Sequence, residues 1–425
     1  MEIIKKKTLS PLQQGVKLIG IGKHGSKKLP DELIIEINED LKLGKAEPIL
    51  IGAFFGALMM KDMEPAYFLL EEYLGKGSLT DASIILNSLC VDAPSRMKSI
   101  GIKLINKQTL TVEEATELGT FLFSDEQGES FRGMAVSILR IRYESDDEYK
   151  GLYNAINSSA IRNTIEFKNK PTIQLAEPFD GVEHSYIITP IIAHEFQKLE
   201  YNVVVSCGRS SGPKITLNTW DLYKGLNAEF LKPNSNITNI RVENFQHSIP
   251  FGWALDQKTF YPVLDKWVDR RKIIMKRPFL STLEKVLNPF KANILITSVF
   301  HIPYLEKMVE LGEMTGFDGV IVLKRGLEGS LAPSLAKATG ILCAAKMADG
   351  TFVTKNIDAS NDDLAQYKKD ADAIIENISL KKNIEYINKY ISQGKTEDSD
   401  FDYRVALAME LYKQGLKWIR QIQHT

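Results

Sequence analysis

The eight residues Cys207-Gly208-Arg209-Ser210-Ser211-Gly212-Pro213-Lys214 carry the side-chain types of an anion-binding loop. Gly208 and Gly212 let the backbone turn tightly, Ser210 and Ser211 offer hydroxyl donors, and Arg209 and Lys214 bring positive charge. Such a loop cradles phosphate when it opens a helix, because the first turn of a helix leaves its N–H groups unpaired. The same composition also makes an ordinary surface turn with solvated charges.

The flanking pattern decides where such a loop would sit. An apolar run, Thr172–Ala176, ends in a polar turn containing Asp180-Gly181. An amphipathic helix is expected from Thr189 to Leu199, then a second apolar run at Val203–Val205, the loop itself, and a further helix from near Asn218. Strand, loop and helix, twice over, make a βαβ unit whose two loops leave the same ends of parallel strands. Ligands of open α/β sheets bind at those carboxyl ends, so Asp180, Gly181, Thr189, Gly208, Arg209, Ser210, Ser211, Gly212, Lys214 and Asn218 form the candidate phosphate and substrate site. Further strands are expected at 251–255, 294–300, 319–324, 340–345 and 351–355. Helices are expected at 259–272, 281–287, 303–315, 362–378, 382–392 and 403–421.

Residues 29–155 read as helical. Apolar residues in 49–60 are too dense for one stripe, which predicts a buried helix. A shift of 81 residues places Leu29, Glu32, Glu36, Leu41, Gly52 and Leu58 on Leu110, Glu113, Glu117, Leu122, Gly133 and Leu139 without a gap. The register of glycine and apolar positions points to a duplication of 29–68 in 110–149; two unrelated helix pairs are the alternative. The expected organisation is a helical domain at 1–165 and an α/β domain at 166–425, the latter with a central, mostly parallel sheet.

The 425 residues carry a net charge of −1, so no bulk field draws the chain to nucleic acid or membrane. Charge is uneven: residues 1–28 hold seven lysines and one glutamate. Lys23, Lys27 and Lys28 close that arm, and a second basic run contains Lys266, Arg270, Arg271, Lys272, Lys276 and Arg277. Such runs are phosphate-backbone footprints or plain solvated faces. Three scattered cysteines without a CxxC argue for a reducing compartment, and no apolar run is long enough to span a membrane, so a cytoplasmic protein is expected. The six histidines show no metal-ligand spacing; His194 reads as a polar-face residue, and His301 falls at the carboxyl end of a strand.

Several segments in order resemble the anthranilate phosphoribosyltransferase superfamily (glycosyltransferase family 3), in particular its divergent TrpD-like, YbiB-type branch. Ile21-Gly22-Lys23-His24-Gly25 resembles that branch's basic entry motif, and Gly52-Ala53-Phe54 through Met60-Lys61 resembles the GAF…ALRIKGET helix. Phe179-Asp180-Gly181 through Ala193 resembles YNGARRLPNLTPLLA; Arg277 through Pro289 resembles R…HTLAKLLNP; Lys324 through Gly329 resembles RGTEGE. The resemblance implies the nucleoside phosphorylase/phosphoribosyltransferase class II architecture, a helical domain that forms a homodimer, and an α/β domain that binds phosphoribosyl pyrophosphate with magnesium. It implies Arg277 and Glu328 as catalytic residues, Arg277 orienting the acceptor and Glu328 holding the metal.

The sequence departs from the family at three places. Glu177-Pro178-Phe179-Asp180-Gly181 replaces the glycine-rich GTGGD, Cys207-Gly208-Arg209-Ser210-Ser211 replaces KHGNR, and Glu328-Gly329 replaces the metal-binding DE pair. Two readings follow. One is a phosphoribosyl or pentosyl transferase acting on a small nitrogenous acceptor. The other, carried over from the YbiB-type branch, is a nucleic-acid-binding protein with an eroded site, contacted through Lys23, Lys27, Lys28, Arg270, Arg271 and Lys272.

Overall fold

The structure, a computed structural model, describes residues 9–20, 26–161, 167, 170–233, 250–359, 362–376 and 378–424. The chain divides into two compact units. One comprises Met1–Ser159 with Lys266–Leu280, the other Ala160–Asp265 with Ser281–Thr425. The boundary therefore differs from a single cut at 165. The chain returns to the first unit at 266–280 because the side chains there find their partners on its helices: the Trp267 indole donates to Leu122 O at 3.0 Å and Arg270 pairs with Glu129 at 2.7 Å.

The first unit is helical: α1 (Pro11–Ile19), α2 (Asp31–Lys42), α3 (Pro48–Leu58), a 3-10 turn (Pro65–Leu70) running into α4 (Glu71–Leu74), α5 (Ala82–Leu89), α6 (Met97–Ile105), α7 (Val112–Leu122), α8 (Glu129–Arg142) and α9 (Asp146–Ser158). Ten of the eleven residues of α3, from Ile49 to Leu58, are buried, as the dense apolar run predicts. Capping boxes at Ser10, Thr111 and Ser145 start α1, α7 and α9 by satisfying N–H groups that the first turn leaves unpaired.

The second unit is built on seven strands, β1 (Thr172–Ala176), β2 (Asn202–Cys207), β3 (Trp253–Asp256), β4 (Ile294–Val299), β5 (Gly319–Lys324), β6 (Gly340–Lys346) and β7 (Phe352–Asp358). Their order is β3-β2-β1-β4-β5-β6-β7. The first five are parallel; β6 and β7 join antiparallel. The helices are α10 (Thr189–Lys198), α11 (Thr219–Gly225), α12 (Gln257–Phe260), α13 (Pro262–Ile274, which runs on into the first unit), α14 (Leu280–Val286), α15 (Leu305–Met314), α16 (Asp362–Ala365), α17 (Leu380–Gln393) and α18 (Ser399–Gln423). Every residue of β1 and β4 is buried, as strands covered on both faces require. The chain moves outward from β1 through β2 to β3, then resumes on the other side of β1 with β4, so the sheet's switch point lies between β1 and β4.

The helix expected at 362–378 stops at Ala365. Beyond it, Lys369 N donates to Leu335 O and Ile375 N to His184 O, so backbone groups that a helix would pair internally bind neighbouring segments. Among the described residues no helix is long and apolar enough to cross a membrane.

Candidate functional site

Three loops meet at the carboxyl ends of the central strands: 177–188 after β1, 208–218 after β2 and 325–339 after β5. Glu177, the first residue past β1, is buried and reaches the opening turns of two helices. Its carboxylate accepts from the hydroxyl of Thr189, the first residue of α10, at 2.8 Å, and from that of Thr219, the first residue of α11. It also accepts from Leu331 N at 3.1 Å. Helix N-termini favour negative charge, and here the chain supplies that charge itself. Burial pushes the Glu177 carboxyl above its ordinary titration range, against the pull of these donors.

Glu328 is the second such carboxylate. Its oxygens accept from Glu183 N at 2.9 Å, His184 N at 2.7 Å and Ser185 Oγ at 3.3 Å, and pair with the Lys214 ammonium. Burial works to raise this carboxyl, and Lys214 with the two N–H groups outweighs it, holding it below its usual value. Glu328 adopts φ 54° within a 3-10 turn, a left-handed conformation uncommon outside glycine, and so turns its carboxylate onto the 183–185 backbone. Gly181 has φ 84°, and a Cβ there would lie 2.4 Å from Leu217 O, so this turn requires glycine.

Asn218 caps α11 through a capping box with Asp221, and its Nδ2 donates to Phe179 O and Gly208 O, each at 2.8 Å. It thus ties the first two loops together. The Phe179 ring fills the space beside Gly208: a Cβ on that glycine would lie 3.0 Å from it. What remains among Glu177, Pro178, Gly181, Asn218, Glu328 and Ser330 is a cavity of about 10 Å³, room for about one water molecule.

The expected site residues separate accordingly. Asp180, Gly181, Thr189, Gly208, Lys214, Asn218 and Glu328 come together. Asp180 acts through its backbone, whose O accepts from Thr216 Oγ1 at 3.0 Å. Ser210 Oγ is spent on Thr216 O at 2.8 Å, and the buried Ser211 Oγ has no hydrogen-bond partner among the described residues. Gly212 precedes a cis proline. Arg209, expected among the phosphate ligands, grips Asp265 at 2.8 and 3.1 Å. Arg277 belongs to the first unit. His194 hydrogen-bonds Pro250 O at 2.9 Å, and His301 is exposed after β4. Sequence reasoning missed Glu177 and Thr219 as site residues; the available signal was an acid at a strand's carboxyl end with threonines opening the next two helices.

The residues present do not fit the magnesium expected on Glu328. Both its oxygens are occupied by four donors, Gly329 stands where a second acid would be needed, and no cluster of three or more acidic, histidine or cysteine side chains suited to a metal occurs among the described residues.

The basic runs are also largely neutralised. Lys266 pairs with Asp125 at 2.6 Å, Arg270 with Glu129 and Lys272 with Asp269 at 3.3 Å, while Arg271 and Lys276 are buried. Lys28 pairs with Glu64, Lys27 is exposed, and Lys23 lies outside the described residues.

No family model matches the chain. An uncharacterized protein of Aquifex aeolicus (strain VF5) is 26% identical over 230 residues, 54% of this chain and 66% of that protein, so the match spans just under two thirds of the relative. Among solved structures, the anthranilate phosphoribosyltransferase of Saccharomyces cerevisiae in complex with PRPP and Mg superposes with a TM-score of 0.50 at 13% identity over 92% of both chains. The anthranilate phosphoribosyltransferase (TrpD) of Thermus thermophilus gives 0.48 at 16% identity, covering 76% of this chain and 98% of that one. The chain has the anthranilate phosphoribosyltransferase fold. Within that TrpD-like fold, the three loops described above lie at the strand ends where α/β sheets hold their ligands.

Proposed function

We propose that this chain keeps the transferase fold without the transfer chemistry and acts as a binding protein. The observation that carries this reading is the pair of carboxylates, Glu177 and Glu328, seated on the donors that a phosphoribosyl pyrophosphate would need. A pyrophosphate entering there meets like charge, worth about 4 kcal/mol per pair at 4 Å near a protein surface. Phosphoribosyl transfer needs open donors for the phosphates and a held cation. In this chain the donors are satisfied internally, and Glu328, the acid expected to hold the cation, is held by the Lys214 ammonium.

The nucleic-acid reading that goes with the YbiB-type branch draws less support, because most described charges of the 266–277 run are paired or buried. The ligand of the binding role is therefore sought outside the donor site. Thermal unfolding with and without phosphoribosyl pyrophosphate and magnesium tests the reading. The melting temperature is expected to stay unchanged at millimolar donor. A magnesium-dependent rise that Lys214→Ala abolishes overturns the proposal in favour of a working transferase site.

A further inference from the structure

The helices of the first unit recur under the 81-residue shift. Residues 31–42 of α2 fall on 112–123, where α7 spans Val112–Leu122. Residues 48–58 of α3 fall on 129–139 within α8, and residues 65–74 fall on 146–155 within α9. A leading helix precedes each set: α1 packs on α2 and α3, and α6 on α7 and α8. One local contact keeps the same register with changed chemistry. Tyr67 bonds the Leu29 backbone, and Glu148 Oε1 accepts from Leu110 N at 3.0 Å.

Where α3 crosses α8, the contacts come in reciprocal pairs. A Cβ on Gly52 would lie 1.8 Å from Ser130 O, and a Cβ on Gly133 would lie 1.9 Å from Ile49 O. The shift turns Gly52 into Gly133 and Ile49 into Ser130, so one contact is made twice in opposite senses. A second pair behaves likewise. A Cβ on Gly56 would lie 2.5 Å from Met134 O, and Ser137 Oγ donates to Ala53 O at 2.7 Å; here the shift carries 56 to 137 and 53 to 134. Stacked repeats related by translation give such contacts in one sense only. Reciprocity is the mark of a two-fold axis, as in an isologous dimer. The axis is approximate: Lys276 donates to Ala53 O and Ser137 Oγ, on one of the two related sides.

We propose that the first unit is a pseudo-dimer folded from one chain, and that the face one repeat would offer to a second copy is closed in cis, leaving the chain a monomer. An isologous face needs the same patch on both partners. Both patches are used here, with Ala53, Met134 and Ser137 fully buried and Ile49 at 2% exposure. A second copy has no access to either. The expectation of a homodimer through the helical domain is replaced by an interface made within the chain.

Sedimentation equilibrium of the full chain, from nanomolar to high micromolar concentration, tests this. A single species of 47.9 kDa is expected throughout. Gly52→Ala and Gly133→Ala form the paired test of the axis. Each drives a methyl group into a carbonyl oxygen, so both are expected to lower the melting temperature by matching amounts and to remain monomeric. A concentration-dependent dimer overturns the proposal. So does a large drop at one glycine with none at the other. If neither variant folds, the mass of the unaltered chain decides alone.

Discussion

Replacing Lys276 by methionine removes an amine buried where α3 crosses α8, and its effect is readable as a pH slope. The ammonium lies 3.3 Å from Ala53 O, also contacts Ser137 Oγ, and is 5% exposed with no carboxylate in contact among its hydrogen-bond partners. Burial, helped by the Arg140 charge, brings its pKa from 10.5 to about 7. The unfolded chain then holds more protons than the folded one between about 7 and 10.5, so the amine's destabilising effect is complete below the window and disappears as pH rises through it. The slope is about 1.4 kcal/mol per pH unit, or about 2 kcal/mol between about pH 7.5 and about pH 9. Urea denaturation of the wild type and Lys276→Met at several pH values checks this. The variant is expected to be the more stable at neutral pH, by about 4 kcal/mol, with the advantage shrinking toward alkaline pH. Other titrating groups are common to both proteins and cancel in the difference. A stability difference that stays flat with pH refutes the reasoning.

Glu177→Ala leaves two hydroxyls and the Leu331 N–H without their acceptor in a buried site, and is expected to cost about 3–5 kcal/mol in chemical denaturation. Lys214→Ala and Glu328→Ala, combined in a double-mutant cycle, are expected to show a coupling of about 1–3 kcal/mol, because the pair is mostly buried. Cys90 and Cys343, pushed up to about 12 by burial, and Cys207, also pushed well up by burial, are expected to resist a thiol reagent in the native protein and to react on unfolding.

The sheet was legible because its strands are short apolar runs between polar turns: β1 and β5 span the residues that their patterns predict. The helices of the proposed repeat were legible for a related reason, since apolar and glycine positions mark them, and Gly52 and Gly133 both lie where α3 and α8 cross closely. The site was less so. Glu177 lies beside a proline in a polar stretch and reads as a surface turn; its partners Thr189, Thr219 and Leu331 stand 12, 42 and 154 residues away. Lys266 and Arg270 read as free charges for the same reason, their acids lying 141 residues earlier. Helix and strand periodicity is local, whereas the pairing of charges is decided by tertiary structure. Residues 366–376 show the same limit in the backbone, where bonds to Leu335 and His184 prevail over helical pattern.

Isothermal titration of phosphoribosyl pyrophosphate with magnesium, against the wild type and Glu328→Ala, separates the two roles available to Glu328. A carboxylate that occupies the anion site blocks binding, so the account predicts no heat with wild type and measurable binding with Glu328→Ala, whose Lys214 and 183–185 donors are freed. Binding by wild type that Glu328→Ala abolishes would make Glu328 a metal ligand and contradict the account.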